Sequence, residues 1–440
     1  MAKVVPFKGI HYNTDKISSM ADVVTPPYDV ISQDQQKSFY NRHPNNIVRL
    51  ILGKKDNNGS DDYHARAADF FNAWLSEQIL IQDDQPAFYR TTIEFSMGDR
   101  HVVRHGMIAL VGLESFDKGI VLPHETTYSK IKSERLGLFK KCHANFSSIF
   151  SLYSDPGQLV ESMLKNGVSG KAPDMTFVDD EGHIHKLWRI TDSSAQKRIS
   201  DEMQRKTIFI ADGHHRYETA LNYRGWVAEN NPDFDDEHPA GYVMMYLCSM
   251  EDPGLIILPA HRIVKGVSEN KLLQFIQKSK QYFNIISIPY TDDLDKAKFE
   301  FAEILKLNRS KNIIGVCIND ISELYLMTLK EQVMEEMFGN ELSEAIRHLD
   351  VTVLTRLILM EVLGFDQNNL DDEKLITYSI SESDAIDDAI SCKGAISFVL
   401  NSTKIEQVKR IAEEGQIMPR KSTYFYPKVI TGQVVNRLKP

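Results

Sequence analysis

A dense cluster of polar residues ends the stretch Lys206-Thr207-Ile208-Phe209-Ile210-Ala211-Asp212-Gly213-His214-His215-Arg216. Residues 206–211 predict a short β-strand, and residues 216 to about 229 have helical composition until Asn230-Asn231-Pro232 stops the helix. Residues 212–215 therefore lie between a strand and a helix. Glycine lets the backbone turn tightly there, and the free amides of a helix N-terminus attract anions. The sequence predicts a phosphate site at this bend.

Each side chain of the bend suits a role in phosphate chemistry. Arg216 carries a fork of donors for phosphate oxygens, His214 and His215 can donate to developing negative charge, and Asp212 can hold a divalent cation. In the structural alternative, Asp212 caps the helix, Gly213 only turns the chain and the histidines fill polar space. A zinc site made from these histidines is disfavoured, because adjacent histidines point in different directions and neither HExxH nor a carboxylate at helical spacing is present.

The rest of the chain predicts a mixed α/β fold with more than one structural unit, since 440 residues with 42% hydrophobic composition exceed what one usual domain needs. Residues 87–95 and 102–111 predict a β-hairpin. Residues 1–265 are interpreted as the catalytic body, 266–345 as a small α/β domain or insertion, and 346–440 as a C-terminal segment that completes the body. Further elements are expected as helices at 271–283, 294–307, 351–363 and 404–414 and strands at 285–289, 312–318, 324–329 and 395–400.

Composition argues against several classes of protein. The net charge is −10, and Lys and Arg do not gather into a basic stripe, so no nucleic-acid partner is expected. No apolar stretch is long enough to cross a bilayer, and the N-terminus lacks the apolar core of a signal peptide, so no membrane partner is expected. Four separated cysteines without a CxxC pair fit a reducing cytoplasm, which is the expected location.

Three other segments mix polar and rigid residues. In Leu122-Pro123-His124-Glu125-Thr126-Thr127, a carboxylate beside a histidine suits a general base, although the segment also fits an ordinary turn with exposed charges. Thr25-Pro26-Pro27-Tyr28-Asp29-Val30 and Lys421-Ser422-Thr423-Tyr424 are each more typical of structural segments when taken alone. Residues 145–153 alternate like a half-buried strand, so their aromatic side chains are expected in the core, and Asn145 is the polar candidate there.

Common phosphate-binding and catalytic signatures are missing from the sequence. There is no GxxxxGK[ST] loop, no GxGxxG after a strand, no GxSxG elbow and no kinase HRD or DFG set. The predicted phosphate chemistry therefore does not belong to a common nucleotide-binding machine.

Five separated motifs together resemble one known family. They are TPPYDVIS at 25–32, LPHETT at 122–127 with ERLGLF at 134–139, NFSSIFSLY at 145–153, ADGHHRYETA at 211–220, and MPRKSTYFYPKVITG at 418–432. In this order they resemble the bacterial and archaeal family called domain of unknown function 1015, over nearly the whole chain. The DGHHR stretch is further similar to the phosphate-binding segment of free serine kinases in the ParB and sulfiredoxin superfamily.

The resemblance implies a ParB/sulfiredoxin-like catalytic core and a kinase that phosphorylates free L-serine to O-phosphoserine. Related enzymes use ADP, ATP or inorganic pyrophosphate as donor, and pyrophosphate is favoured here. Carried over to this sequence, Glu125 is the base for the serine hydroxyl, and Asp212 binds Mg²⁺ or steers the transfer. Gly213 and the three residues after it, His214, His215 and Arg216, hold the donor phosphates.

The other motif residues complete the predicted site. His124 joins Glu125 as a catalytic residue, further phosphate contacts are assigned to Arg135, Lys421, Ser422 and Thr423, and substrate contacts to Tyr28, Asp29, Thr126, Thr127 and Asn145. The family pattern is commonly Asp-Arg where this sequence has Glu134-Arg135. The hypothesis requires residue 125 to converge with residues 212–216. A ParB-like nucleotide-binding regulator and a phosphotransferase or phosphatase acting on another small metabolite remain as alternatives.

Overall fold

A computed structural model describes residues 1–54, 62–125, 129–235, 237–291 and 293–439, without the side chains of 129–133. The chain forms two compact units. The first comprises Met1–Pro123, Thr127–Ile256 and Pro427–Pro440, and the second comprises His124–Thr126 and Ile257–Tyr426. Both combine helices with sheets, so the predicted mixed α/β class, with a smaller α/β second part, is confirmed.

The first unit is built on a nine-stranded mixed sheet. Two of its strand pairs are parallel and the others are antiparallel, which is the pattern expected when helical crossovers and hairpins occur in one sheet. Across the sheet the strands follow the order Val121–Leu122, Ile208–Asp212, Ile149–Tyr153, Tyr242–Ser249, Arg100–Gly112, Phe88–Met97, Ile184–Ile190 and Met175–Val178, with Val4–Val5 added beside Arg100–Gly112.

The predicted hairpin is confirmed at the middle of this sheet. Phe88–Met97 pairs antiparallel with Arg100–Gly112, and Gly98 adopts the left-handed conformation that the tight turn requires. Residues 149–153 are buried along their whole length, so the predicted half-buried strand is corrected to a strand covered on both faces. Alternation in the sequence could not reveal this, because Ser151 is a polar residue that lies in the core. The aromatic residues of the strand belong to the core, as expected.

The first unit also contains helices. They are Gln33–Arg42, Val48–Ile51, Tyr63–Ser76, Ser129–Cys142, Leu159–Gly167, Ser193–Met203 and His214–Asn230, with short 3₁₀ turns at Met20–Asp22, Tyr28–Val30, Phe116–Lys118 and Pro239–Gly241. Two further short pairings join Ile10–Tyr12 to Leu80–Gln82 and Ala144–Asn145 to Asn436–Arg437. A core of side chains that includes Ile208, Ile210 and Tyr217 lies under the predicted bend. Burial of such residues, worth about 1.5–3 kcal/mol each, holds the bend on a rigid base.

The second unit contains a six-stranded sheet in which all neighbours are antiparallel. Its strands follow the order Phe283–Pro289, Glu323–Leu329, Ile313–Ile318, Ile396–Val399, His261–Val264 and Ile376–Ser379. The helices are Glu269–Ser279, Leu294–Leu307, Val333–Phe338, Glu344–Arg347, Asp350–Thr352, Gln367–Asp371, Glu382–Ser391 and Ile405–Glu413, with a π-helical segment at Val353–Val362 and a short strand at Tyr424–Tyr426. The boundary between the units falls within the strand Ile256–Leu258.

The unit boundaries differ from the three-part division expected from the sequence. That division separates residues 266–345 from 346–440, whereas the structure places strands from both ranges in one sheet. Ile313–Ile318 pairs directly with Ile396–Val399, and most of the C-terminal range belongs to the second unit. Pairing between strands so far apart in sequence depends on tertiary packing, which local composition does not encode.

Candidate anion-binding site

The bend lies where it was predicted, between a strand that ends at Asp212 and a helix that begins at His214. Gly213 has φ 101°, a conformation that side chains with a Cβ rarely adopt. A Cβ at this position would lie 2.7 Å from Nε and 2.9 Å from Cζ of Arg216. The glycine is therefore needed both for the turn and for the close approach of the arginine.

Asp212 lies between two cationic side chains. Its Oδ2 is 2.6 Å from Nη2 of Arg216, and its Oδ1 accepts a hydrogen bond of 2.9 Å from Nζ of Lys428. Burial opposes ionisation of this carboxyl, but the charges of Lys428 and Arg216 outweigh burial and hold the pKa of Asp212 well below its usual range. The ionised carboxylate with two cations leaves a net positive charge at the helix N-terminus.

Arg216 is held from several sides. It is buried, and its Nη1 donates to the backbone oxygen of Ser148 on the neighbouring segment. Its Nε is buried without a hydrogen-bond partner among the described residues, close to the position that a Cβ on Gly213 would occupy. The side chain is thus fixed in orientation while one of its donors has no acceptor from the described part of the chain.

The N-terminal motif and the helix that carries Arg135 come to the same region. The guanidinium of Arg135 lies 3.4 Å from the ring centroid of Tyr28, and its Nη1 donates to the oxygen of Ile51 at 2.6 Å. Burial raises the pKa of Tyr28, and the charges of Arg135, Arg216 and Asp212 also act on this phenol. Burial lowers the pKa of Arg216, but the charges of Asp212 and of the exposed Asp29 outweigh burial and raise it.

Three predicted motifs of the first unit are therefore electrostatic neighbours, although they are far apart in sequence. The guanidinium of Arg135 stacks on Tyr28, and its contact with phosphate stays a prediction. His214 is buried and His215 is half-buried in the first turn of the helix. Their assignment to donor phosphates stays a prediction, and so do the substrate contacts of Tyr28 and Asp29.

Asp212 does not fit the role of a magnesium ligand in this arrangement. Mg²⁺ needs oxygen ligands, but both carboxylate oxygens already face cationic groups. Within the described ranges, no group of three possible metal-ligating side chains includes Asp212. In this arrangement a cation would have to displace Lys428 or Arg216 from the carboxylate.

The second unit brings two other motifs together. Nε2 of His124 lies 3.2 Å from Oγ1 of Thr423, 299 positions further along the chain. The backbone amide of Met418 donates to the oxygen of His124, and the ring of His124 packs against Phe425. His124 is buried, and its catalytic role stays a prediction. The neighbouring Glu125 is half-buried and forms a parallel bridge with Met418.

A buried arginine fixes the backbone of the Lys421 segment. Arg262 donates from Nη2 to the oxygens of Arg420 at 3.1 Å and of Lys421 at 3.0 Å. Burial lowers the pKa of Arg262 to about 10, while the charges of Tyr378 and Glu125 oppose this effect. The residue Lys421 itself is exposed and has φ 55°.

Other predicted site residues have structural contacts or lie outside the description. The hydroxyl of Ser422 is buried and donates to the oxygen of Pro419, so it stabilises its own turn. Oδ1 of Asn145 accepts hydrogen bonds from the backbone amide of Met244 and from Nδ2 of Asn436. These bonds connect the strand Ala144–Asn145 to the C-terminal segment. Thr126 and Thr127 lie outside the described residues.

The predicted convergence of residue 125 with residues 212–216 involves both units. Residues 124–126 belong to the second unit and residues 212–216 to the first, and each unit is described by itself. The convergence stays a prediction.

Sequence reasoning missed Lys428, which binds Asp212. Its signal was present, because Lys428 lies within the C-terminal motif of the resemblance. Lys428 lies 216 positions after Asp212, and only the tertiary structure brings it next to the carboxylate of Asp212. Local sequence patterns therefore did not indicate this contact.

Fold and site together define a mixed α/β protein with a positively charged, glycine-dependent bend at a helix N-terminus. The chain belongs to the family described as protein of unknown function (DUF1015), whose family model matches residues 4–352. This confirms the family resemblance identified from the motifs.

Solved structures with some similarity to the chain include a variant of a free serine kinase in complex with ADP, with 11% identity, TM-score 0.34 and coverage of 72% of this chain and 87% of that chain. A conserved hypothetical protein from Pyrococcus furiosus has 11% identity, TM-score 0.34 and coverage of 75% and 95%. SbnI with a C-terminal truncation from Staphylococcus aureus has 10% identity, TM-score 0.33 and coverage of 74% and 86%. Similarity at this level says nothing about what this chain acts on.

No curated protein matches the chain. Among the described residues, the helices are too short or too polar to span a membrane.

Proposed function

We propose that this protein is a phosphotransferase that moves a phosphoryl group from inorganic pyrophosphate to the hydroxyl of free L-serine. The observation that carries the proposal is the bend at Gly213, where two cations face one carboxylate at the start of a 17-residue helix. Such a helix adds roughly half a positive charge at its N-terminus, and its first amides point outward from the helix. The bend therefore offers positive charge and hydrogen-bond donors to a bound phosphate.

The proposed reaction needs positioning more than covalent chemistry from the protein. The serine oxygen attacks one phosphorus of pyrophosphate, the bond from that phosphorus to the bridging oxygen breaks, and inorganic phosphate leaves. The hydroxyl proton passes to Glu125, the base implied by the family resemblance. Arg216 would stabilise the negative charge on the phosphate oxygens, and Lys428 would hold Asp212 ionised so that the guanidinium keeps its orientation.

Pyrophosphate is a suitable donor because it needs only phosphate contacts. A nucleotide needs in addition a pocket that stacks or hydrogen-bonds its base. The sequence carries no familiar signature of such a pocket, and the described bend supplies charge and amide donors. Mg²⁺, when bound, would neutralise part of the donor charge; residues other than Asp212 would have to hold it.

The test is a direct assay with purified full-length protein. L-serine is incubated with pyrophosphate, ADP or ATP, with and without Mg²⁺, and O-phosphoserine is measured by mass spectrometry or ³¹P NMR. Formation of O-phosphoserine from pyrophosphate supports the proposal. Absence of turnover with all three donors contradicts it, and release of phosphate without O-phosphoserine favours the phosphatase alternative.

A matched pair of variants on one helix makes the test specific for the bend. Arg216→Gln removes the guanidinium beside Asp212, whereas Arg224→Gln changes an arginine further along the same helix that donates to the oxygen of Leu113. We expect Arg216→Gln to lose at least about 100-fold in kcat/KM, the scale seen when one charge-stabilising donor is removed. Arg224→Gln should keep turnover, and circular dichroism should confirm that both variants are folded.

A further inference from the structure

A second polar cluster lies in the first unit, at the turn between the strands Met175–Val178 and Ile184–Ile190. Asp179, His183 and His185 place one possible ligand atom each within 4.8 Å of one another. Oδ2 of Asp179 is 3.2 Å from Nδ1 of His183 and 2.8 Å from Nε2 of His185. None of the predicted functions uses these residues.

Strand geometry explains why these side chains meet. His183 and His185 are two positions apart in extended backbone, so they point to the same face of the hairpin. The amide of Asp179 donates to the backbone oxygen of His183, which continues the register in which Val178 pairs with Ile184. Residues directly opposite in an antiparallel pair also share a face. The spacing Asp-x₃-His-x-His therefore brings three ligand types together across one turn.

The carboxylate is oriented before any ion binds. Oδ1 of Asp179 accepts hydrogen bonds of 2.9 Å from the backbone amides of Glu181 and His183. These bonds leave Oδ2 directed at the two histidine rings. The carboxylate is thus a preorganised anionic ligand.

The two imidazoles are also suited to bind a cation. His185 is 1% exposed, and its ring stacks on Phe177 with centroids 4.8 Å apart. Nδ1 of His185 has no hydrogen-bond partner among the described residues, so the stacking on Phe177 and the contact of Nε2 with Asp179 set the orientation of the ring. Nε2 of His183 faces Glu181 at 3.7 Å, and a carboxylate there would orient this ring.

We propose that Asp179, His183 and His185 bind a divalent transition-metal ion of the zinc type. Metal bonds of about 2.0–2.2 Å place ligand atoms of one coordination sphere roughly 3–3.5 Å apart. This is close to the 3.2 Å and 2.8 Å that separate Oδ2 of Asp179 from Nδ1 of His183 and Nε2 of His185. Two imidazoles and one carboxylate suit Zn²⁺ and similar ions better than Mg²⁺, which prefers oxygen ligands. Three protein ligands leave a coordination position for water or another small ligand. This site goes beyond the proposed kinase activity and does not depend on it.

Helical spacing and the adjacent pair His214-His215, the patterns considered for zinc in the sequence, do not reveal this cluster. On a strand, alternate residues share a face, and the relevant spacing is two. The sequence does contain a pattern that indicates the cluster: two histidines at this spacing follow an Asp-Asp-Glu-Gly turn between two strand-forming runs.

Metal titration of the full-length protein tests the proposal. After treatment with EDTA and removal of the chelator, Zn²⁺ binding is measured by calorimetry and Co²⁺ binding by visible absorption, both in the presence of excess Mg²⁺. We expect one Zn²⁺ per chain at this site, not displaced by Mg²⁺, and Co²⁺ bands typical of nitrogen and oxygen ligands. No Zn²⁺ binding and no Co²⁺ bands with folded wild-type protein would overturn the proposal without any variant.

Variants then locate the ion. Asp179→Asn and His183→Gln each change a proposed ligand and should weaken Zn²⁺ binding by at least about 10- to 100-fold, the loss seen when only a residue that supports a ligand is changed. The matched control is His105→Gln, which changes a half-buried histidine that pairs with the single carboxylate of Asp252 at 2.9 Å. Its Zn²⁺ affinity should equal that of the wild type. Retention of wild-type affinity in both cluster variants would place the ion elsewhere and refute the site.

A fourth variant separates this proposal from the kinase. Asp212→Asn changes the candidate anion site and should leave Zn²⁺ affinity unchanged. Loss of Zn²⁺ binding in Asp212→Asn would contradict the assignment to the hairpin. Failure of the serine kinase assay has no bearing on this result, because the titration measures binding of the metal alone.

Discussion

Replacement of Gly213 by alanine tests the physical basis of the bend. An alanine at φ 101° is strained by about 1–2 kcal/mol. Its Cβ would also lie 2.7 Å from Nε and 2.9 Å from Cζ of Arg216, so the guanidinium must move. Displacement weakens the contact with Asp212, and hydrogen bonds to charged groups are worth about 1.5–3 kcal/mol. We expect Gly213→Ala to lower the free energy of unfolding by about 2–4 kcal/mol.

The assay combines thermal unfolding with binding of pyrophosphate by calorimetry. For a unit of this size, a loss of 1 kcal/mol lowers Tm by roughly 2–4 °C, so the expected decrease is roughly 5–15 °C. Gly225→Ala is the matched control, because Gly225 lies in the same helix and an added Cβ there would meet nothing within 4 Å. This variant should have a free energy of unfolding about 1 kcal/mol higher than the wild type, since alanine has the better helix propensity. If Gly213→Ala melts at or above the wild-type Tm and binds pyrophosphate equally well, the account of the bend is wrong.

Three further predictions concern charge. Asp212 has a depressed pKa, so its ion pairs stabilise the fold above the unfolded pKa of about 3.9, and this effect is lost as pH falls through the folded pKa. Lys428→Met should therefore unfold at a lower urea concentration than the wild type at pH 7. The difference in free energy of unfolding between the two proteins should become smaller in acid. Burial raises the pKa of Asp350 to about 7. The contribution of this group to stability should therefore be complete below the unfolded pKa and be lost as pH rises through about 7. Asp350→Asn can still accept a hydrogen bond from Asn312 and should show a flatter profile of Tm against pH. Glu125→Gln should abolish phosphorylation of serine with an unchanged circular dichroism spectrum, and full activity in this variant would remove Glu125 as the base.

The aromatic and aliphatic runs of the chain determined most individual elements. The hairpin at 88–112, the strand that ends at Asp212 and the helix Leu294–Leu307 all follow from local patterns of residues. These elements could be predicted because β-branched runs, turn glycines and helical composition act over a few neighbouring residues. The five motifs likewise identified the family from sequence, and the match over residues 4–352 confirms it.

The contacts that make the site depended on tertiary structure. Lys428 reaches Asp212, and Thr423 reaches His124, only because the chain returns to earlier strands after hundreds of residues. Such pairings are selected by packing and burial over the whole unit, which a local pattern does not contain. The hairpin ligands Asp179, His183 and His185 show the intermediate case: their spacing is written in the sequence, but strand pairing decides that they share one face.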